Sequence, residues 1–344
     1  MTKTQTPPTP ATPADLTLDQ IMEHFNTPEA ARTYLEAIRW PDGPFCPHCG
    51  NADAASIYSI TANKASKVRA GLRECKACDK QFTVTVGTIF EDSHIPLQKW
   101  LVAWYMLCSS KKGISALQMQ RMLGLGSYRS AWHMMHRIRF ALRTPVFADK
   151  LGTDGGTVEV DETYVGGKPR KSAPLVQRGG EMRKRKGPAP DFKDRKTPVV
   201  SIVERNGRVR SFATRRITGA GLKKAIRQNV HSSARIMTDE RPGYKGIGKD
   251  FDGGHHTVNH SIKEYARGDV TTNTVEGYFS LFKRGVNGVF HHIGAHYMDQ
   301  YLAEFDFRYN TRKITDGERT VAALGHATGK RLMLRRKPAV KRAR

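Results

Sequence analysis

Two short cysteine pairs constrain this chain before anything else does. Cys46-Pro-His-Cys49 and Cys75-Lys-Ala-Cys78 each hold two thiols with a two-residue gap between them. That gap lets both sulfurs of a pair reach one ion, and four thiolates suit tetrahedral zinc. The pairs lie 25 residues apart (75 − 49 − 1), against a usual spacing of roughly 15–20. An extended hairpin, with SIYSI and VRAGLREC as its strands, would take up the excess. Two disulfides are the competing reading. No apolar leader precedes the motif and a reducing compartment is expected, so the spacing favours one structural Zn²⁺ on Cys46, Cys49, Cys75 and Cys78. With four cysteines filling the site, His48 is superfluous as a ligand, and Cys108, in an apolar run, reads as a core thiol.

Charge limits the partners. The chain carries 57 Lys plus Arg against 32 Asp plus Glu, a net of +25. Such an excess points to a polyanion, with nucleic acid ahead of a membrane surface. No apolar run approaches the roughly 18 residues that a bilayer span requires. Segments 165–196 and 330–344 each hold a net +8. Segments of this kind grip phosphates in a salt-sensitive way without reading bases. Residues 1–16, rich in Thr and Pro, read as a disordered tail, and the expected location is cytoplasmic and nucleoid-associated.

The stretch from Leu16 to Ile38 has a helical apolar pattern that Pro28 divides into two short helices. Residues 95–143 read as three helices. Ser115 and Ser127 are candidate N-caps for the second and third, and Gly124 stops the second. The third carries an apolar stripe of Ala131, Met135, Ile138 and Leu142, with Arg129, Ser130, His133 and Arg137 off it. Two helices joined by a short glycine turn, the second one basic, form a helix-turn-helix-like pattern for double-stranded DNA; a plain three-helix unit is the alternative.

From residue 157 the pattern turns α/β. In TVEVDETYV, Val158, Val160 and Tyr164 alternate with Glu159, Asp161 and Thr163, the period of a strand. A hairpin turning at Asn206-Gly207 and an amphipathic helix follow. The short strand RIMT then ends at Asp239, and a helix from about 273 to 286 carries Glu276. Lys283 is seven residues after Glu276 and returns to the same helix face. One acid per ordered element is how proteins hold hard divalent cations, although solvated surface acids would give the same sequence. Among the histidines 255, 256, 260, 291, 292 and 296, His292 and His296 are four residues apart, a spacing that suits a metal on a helix; DNA contact or packing is nevertheless the expectation for the group.

The order of RWPDGPFCPHCG, the second CxxC, VDETYVGGK, MTDE, NTVEGYFSLFKRGVNGVFHHI and YLAEFDFRYN resembles the zinc-ribbon insertion-sequence transposases of the DDE type, the ISXO-type branch. The resemblance runs from about residue 17 to 315. It implies an RNase H-like domain with a mixed sheet (151–315); with the readings above, the expectation is a multidomain α/β chain of a helical leader and zinc ribbon (17–92), a helix-turn-helix-like region (93–150), that domain interrupted by the basic insertion 165–196, and a basic tail (316–344). By motif position it places catalysis on Asp161, Asp239 and Glu276, which would hold two Mg²⁺ or Mn²⁺, with Lys283 as the basic residue seven after the last acid. Some relatives use Asn as third ligand, which brings Asn273 into view; Glu276 keeps the offset to Lys283. Glu159 and Glu162 read as neighbours rather than ligands. Arg129, His133, Arg137, Lys283 and Arg284 are the expected DNA contacts. The implied activity is cleavage at transposon ends and strand transfer by a homo-oligomer on DNA. A non-catalytic zinc-ribbon regulator and a nuclease of the same fold are the alternatives.

Overall fold

The computed structural model describes residues 17–63, 65, 68–143, 149–166 and 196–333. The expected tail 1–16, nearly all of the basic insertion 165–196 and the residues from 334 onward lie outside the described residues. The chain divides into two units, one of residues up to 143 together with those from 311 onward, the other from 144 to 310. Among the described residues no helix is long and apolar enough to cross a membrane.

In the first unit, α1 (Leu18–His24) and α2 (Pro28–Arg39) break where the proline predicts. Thr27 caps α2 by accepting the Ala30 N–H, and Pro28 sits at the first helical position, where a missing N–H costs nothing. The ribbon follows as a three-stranded antiparallel sheet of β1 (Ile57–Ser59), β2 (Arg73–Cys75) and β3 (Lys80–Phe82). Helices α3 (Leu97–Ser109), α4 (Ala116–Met122) and α5 (Tyr128–Ala141) complete its N-terminal part, with Ser115 and Ser127 as N-caps.

The expected basic tail from 316 differs. Asp316–Gly325 is a helix, α9, opened by a Thr315–Glu318 capping box and burying Ala323 and Leu324. Arg319 donates to the Cys108 carbonyl at 3.0 Å, so α9 packs onto α3. Lys330 and Arg331 are also docked: Lys330 donates to the carbonyls ending α5, and Arg331 pairs with Glu91 and Asp92. Charge counting missed this because the apolar face of α9 sits in a segment of only ten residues.

The second unit is built on a five-stranded sheet in the order β6-β5-β4-β7-β8. Its strands are β4 (Thr157–Val165), β5 (Thr197–Glu204), β6 (Val209–Ala213), β7 (Arg235–Thr238) and β8 (His255–Thr257). The first three run antiparallel and β7 and β8 run parallel, giving a mixed sheet. Helix α6 (Gly219–Asn229) covers one face, packing Leu222 and Ile226 on Val158, Val160, Val200 and Ile202. A short hairpin of β9 (Ala266–Arg267) and β10 (Val270–Thr271) leads into α7 (Asn273–Gly285). With α8 (Met298–Asn310), α7 covers the other face, burying Val275, Phe279, Phe282 and Leu302 against Val165, Val199 and Val203. The acid-bearing face of β4 is therefore roofed by α7, and β4 is covered on both sides.

Helix α8 also settles the open edge of the sheet. Free edge N–H groups invite pairing with another chain. Here the N–H of Val209 goes to Asn310 Oδ1 at 2.7 Å, that of Ser211 to Asp306 Oδ2 at 2.7 Å, and that of Ala213 to Asp299 Oδ1 at 2.8 Å. Polar residues in the motif YLAEFDFRYN thus serve the sheet edge.

Candidate functional site

The ribbon cysteines close on one point. Cys46 and Cys78 have their sulfurs 3.7 Å apart, as do Cys49 and Cys75, and all four lie within 4.8 Å of one another. A tetrahedral ion with Zn–S bonds of about 2.3 Å has S···S edges of about 3.8 Å, so the donor set fits zinc. Local turns build each half: the Gly50 N–H returns to the Cys46 carbonyl at 2.9 Å with Gly50 at φ +78°, which favours glycine. The Asn51 amide donates to Cys75 Sγ at 3.7 Å. The site is a structural zinc site, and Cys108 is buried apart from it.

The second cluster is assembled by the sheet. Asp161 lies on β4, whose register with β7 pairs Glu159 with Met237. Continued by two residues, that register sets Asp239 level with Asp161, just past the end of β7. Glu276 stands in the first turn of α7 and is about half exposed. An open cleft of about 450 Å³ is lined by Asp161, Glu162 and Glu276 and, along α7, by Ser280, Lys283 and Arg284. Asp239 and Asn273 do not line this cleft.

Electrostatics ties Asp239 to it. Burial, and then the carboxylates of Glu162, Asp239 and Glu276, push the Asp161 carboxyl up to about 7, against a Glu162 N–H that donates to Oδ1 at 2.7 Å. Asp239 is raised too, by burial and by Glu240, against the Arg241 N–H and the charges of Arg241 and His260. Hard oxygen donors crowded until one resists ionisation fit a divalent cation. Among the described residues, only the four thiols gather three or more ligand atoms within 4.8 Å. The acids stand wider than the thiols do.

Several contacts around the acids were not legible in the sequence. Glu162, beside Asp161, points to the opposite face of β4 because strand side chains alternate. It is held there by Tyr244 and Arg241 and leaves 3% of its side chain exposed. His260 brings Nε2 to 3.6 Å from Glu276 Oε1. Glu240 anchors the loop carrying His260, accepting the N–H groups of His260 at 3.0 Å and Ser261 at 3.1 Å. Nothing in the spacing of these residues signals the contacts, which arise from long-range packing.

On α5 the expected DNA contacts separate. Arg129 is exposed in the first turn, next to exposed Tyr128 and Ser130. Arg137 is 6% exposed; it donates to the Glu91 carbonyl, and its guanidinium lies 5.6 Å from the Trp100 ring centroid. That corrects the expectation of a phosphate contact, since its donors are turned into the protein. His133 is partly buried, and burial together with Arg137 lowers its pKa. On α7, Lys283 and Arg284 are both exposed at the cleft.

Two family models and one curated protein match this chain. Residues 154–310 match the ISXO2-like transposase domain, and residues 26–81 match a transposase zinc-ribbon domain. The chain is also similar to a Halobacterium salinarum protein described as an uncharacterized protein in transposable element ISH50. The two are 29% identical over 264 residues, which is 76% of this chain and 83% of that protein.

Proposed function

We propose that the chain is a DDE-type insertion-sequence transposase with an N-terminal zinc ribbon, in line with the two domains it matches, and that it cuts DNA at the ends of its element and joins them to target DNA. The observation that carries this is the approach of Asp161, Asp239 and Glu276 from a strand, a strand end and a helix, with Lys283 and Arg284 on that helix. In this reading the three acids hold two Mg²⁺ or Mn²⁺. When bound, two such ions activate an attacking oxygen and stabilise a leaving one at phosphorus. Lys283 and Arg284 supply cationic contacts to the phosphates. Water attacks first, breaking a P–O bond and leaving a 3′-hydroxyl. That hydroxyl then attacks a target phosphodiester, forming one P–O bond as another breaks, with the proton passing to the released target oxygen. Arg129 belongs to end recognition, and pairing of two ends calls for a homo-oligomer on DNA.

The test is a duplex carrying cognate ends, supplied intact and pre-cut, with Mg²⁺ or Mn²⁺. Nicking of the first and joining of the second are expected. End binding without either would identify a non-catalytic regulator; nicking without joining would identify a nuclease.

A further inference from the structure

Glu159, two residues before Asp161, is fully buried. It shares the α7-facing side of β4 with Asp161. Its Oε2 accepts the backbone N–H groups of Thr274 at 2.7 Å and Val275 at 3.0 Å, and its Oε1 accepts the Thr274 hydroxyl at 2.9 Å. Arg205 Nε donates to the same Oε1 at 2.6 Å. The remaining Arg205 nitrogens donate to the carbonyls of Asp269 at 2.7 Å and Thr271 at 2.9 Å, on the segment that leads into α7.

A helix opens with four N–H groups that lack partners within it. In α7, Asn273 donates to Thr271 Oγ1 and Glu276 to the Thr272 carbonyl, while Thr274 and Val275 donate to Glu159. The N-cap residue Thr272 makes no side-chain cap; its hydroxyl goes instead to Glu276 Oε1 at 2.9 Å. A carboxylate from a different element, 115 residues away, thus replaces the local cap. Burying an ion pair is costly, and well-packed apolar residues often serve stability as well or better. What this pair fixes is the offset between β4 and the first turn of α7, hence between Asp161 and Glu276.

We infer that Glu159 is a positioning residue: held by Arg205, it caps α7 from β4 and sets Glu276 against Asp161. This rests on the two-ion reading above. It gives a role to a residue that the sequence reads only as a neighbour of the ligands.

The test is Mn²⁺ binding to the purified, zinc-loaded full chain, followed by electron paramagnetic resonance, with zinc content and thermal unfolding as controls. Glu276→Gln should weaken Mn²⁺ binding by about 10–100-fold, and Glu159→Gln by about tenfold, the usual range for residues that orient a ligand. In the Glu276→Gln background, Glu159→Gln should add nothing, because both changes act through one carboxylate. Thr274→Val deletes a single bond to Glu159 and should cost about threefold; it decides the matter if Glu159→Gln does not fold. Unchanged Mn²⁺ affinity in folded Glu159→Gln, or in Thr274→Val where only that variant folds, overturns the inference, as does an additive loss in the double variant. Unchanged affinity in both Asp161→Asn and Glu276→Gln is a different pattern, and would overturn the two-ion reading together with this inference.

Discussion

The zinc site and the acid cluster are put together in opposite ways. The four thiols span 33 residues (78 − 46 + 1) and meet through tight turns at the ends of one small sheet. The acids span 116 residues (276 − 161 + 1) and meet only because β7 pairs with β4 and α7 roofs the same face. The first site contributes to the folding of the segment that carries it. The second is imposed on a fold that has its own apolar cores and opposes its charges.

Removing zinc should have the largest effect. Cys75→Ser, or stripping the metal, is expected to unfold the ribbon, since structural zinc contributes on the order of 10 kcal/mol in small modules. Zinc content and limited proteolysis across residues 40–82 would show it. Mn²⁺ binding at the acids should persist; its loss would break the comparison by making the second site depend on the first.

Next come the acids themselves. Asp161→Asn, Asp239→Asn and Glu276→Gln should each reduce joining of a pre-cut end by about a thousandfold or more, because each keeps shape and deletes charge that a hard cation needs. DNA binding should survive. Normal joining by Glu276→Gln together with loss in Asn273→Ala would move the third ligand to Asn273.

The opposed charges of the second site give a smaller effect of opposite sign on stability. Asp161 has a folded pKa of about 7, against about 3.9 for a free Asp side chain. Between these values the folded chain keeps a proton that the unfolded chain has released. Stability therefore falls as pH rises through this window, and the loss is complete above about pH 7. Asp161→Asn should consequently be more stable than the parent at pH 8 without added divalent cation, by on the order of 1–3 kcal/mol, with the gap closing near pH 4. Thermal unfolding at both pH values checks this, and equal stability at pH 8 would remove the charge-crowding argument.

The smallest contrast lies on α5. Arg137→Ala should cost about 1–3 kcal/mol of stability by deleting a buried bond and a ring contact. Arg129→Ala should leave stability within about 0.5 kcal/mol and weaken binding to element-end DNA. Denaturant unfolding beside a DNA titration separates the two, and a DNA defect in folded Arg137→Ala would restore the role that the sequence suggests.

The sequence by itself determined what is written locally. Cysteine spacing specified the ribbon, Pro28 the break between two helices, Asn206-Gly207 the hairpin, and period-two alternation β4. Each depends on backbone geometry or ligand reach over a few residues. Motif order brought Asp161, Asp239 and Glu276 forward as candidates, since spacing alone cannot tell a paired acid from a solvated one. Only the tertiary structure decided that Tyr244 and Arg241 hold Glu162, that Glu159 caps a helix 115 residues distant, that Arg137 is turned inward and that α9 packs on α3. Those outcomes depend on which faces are covered, and coverage is set by long-range packing of apolar surface that no local pattern encodes.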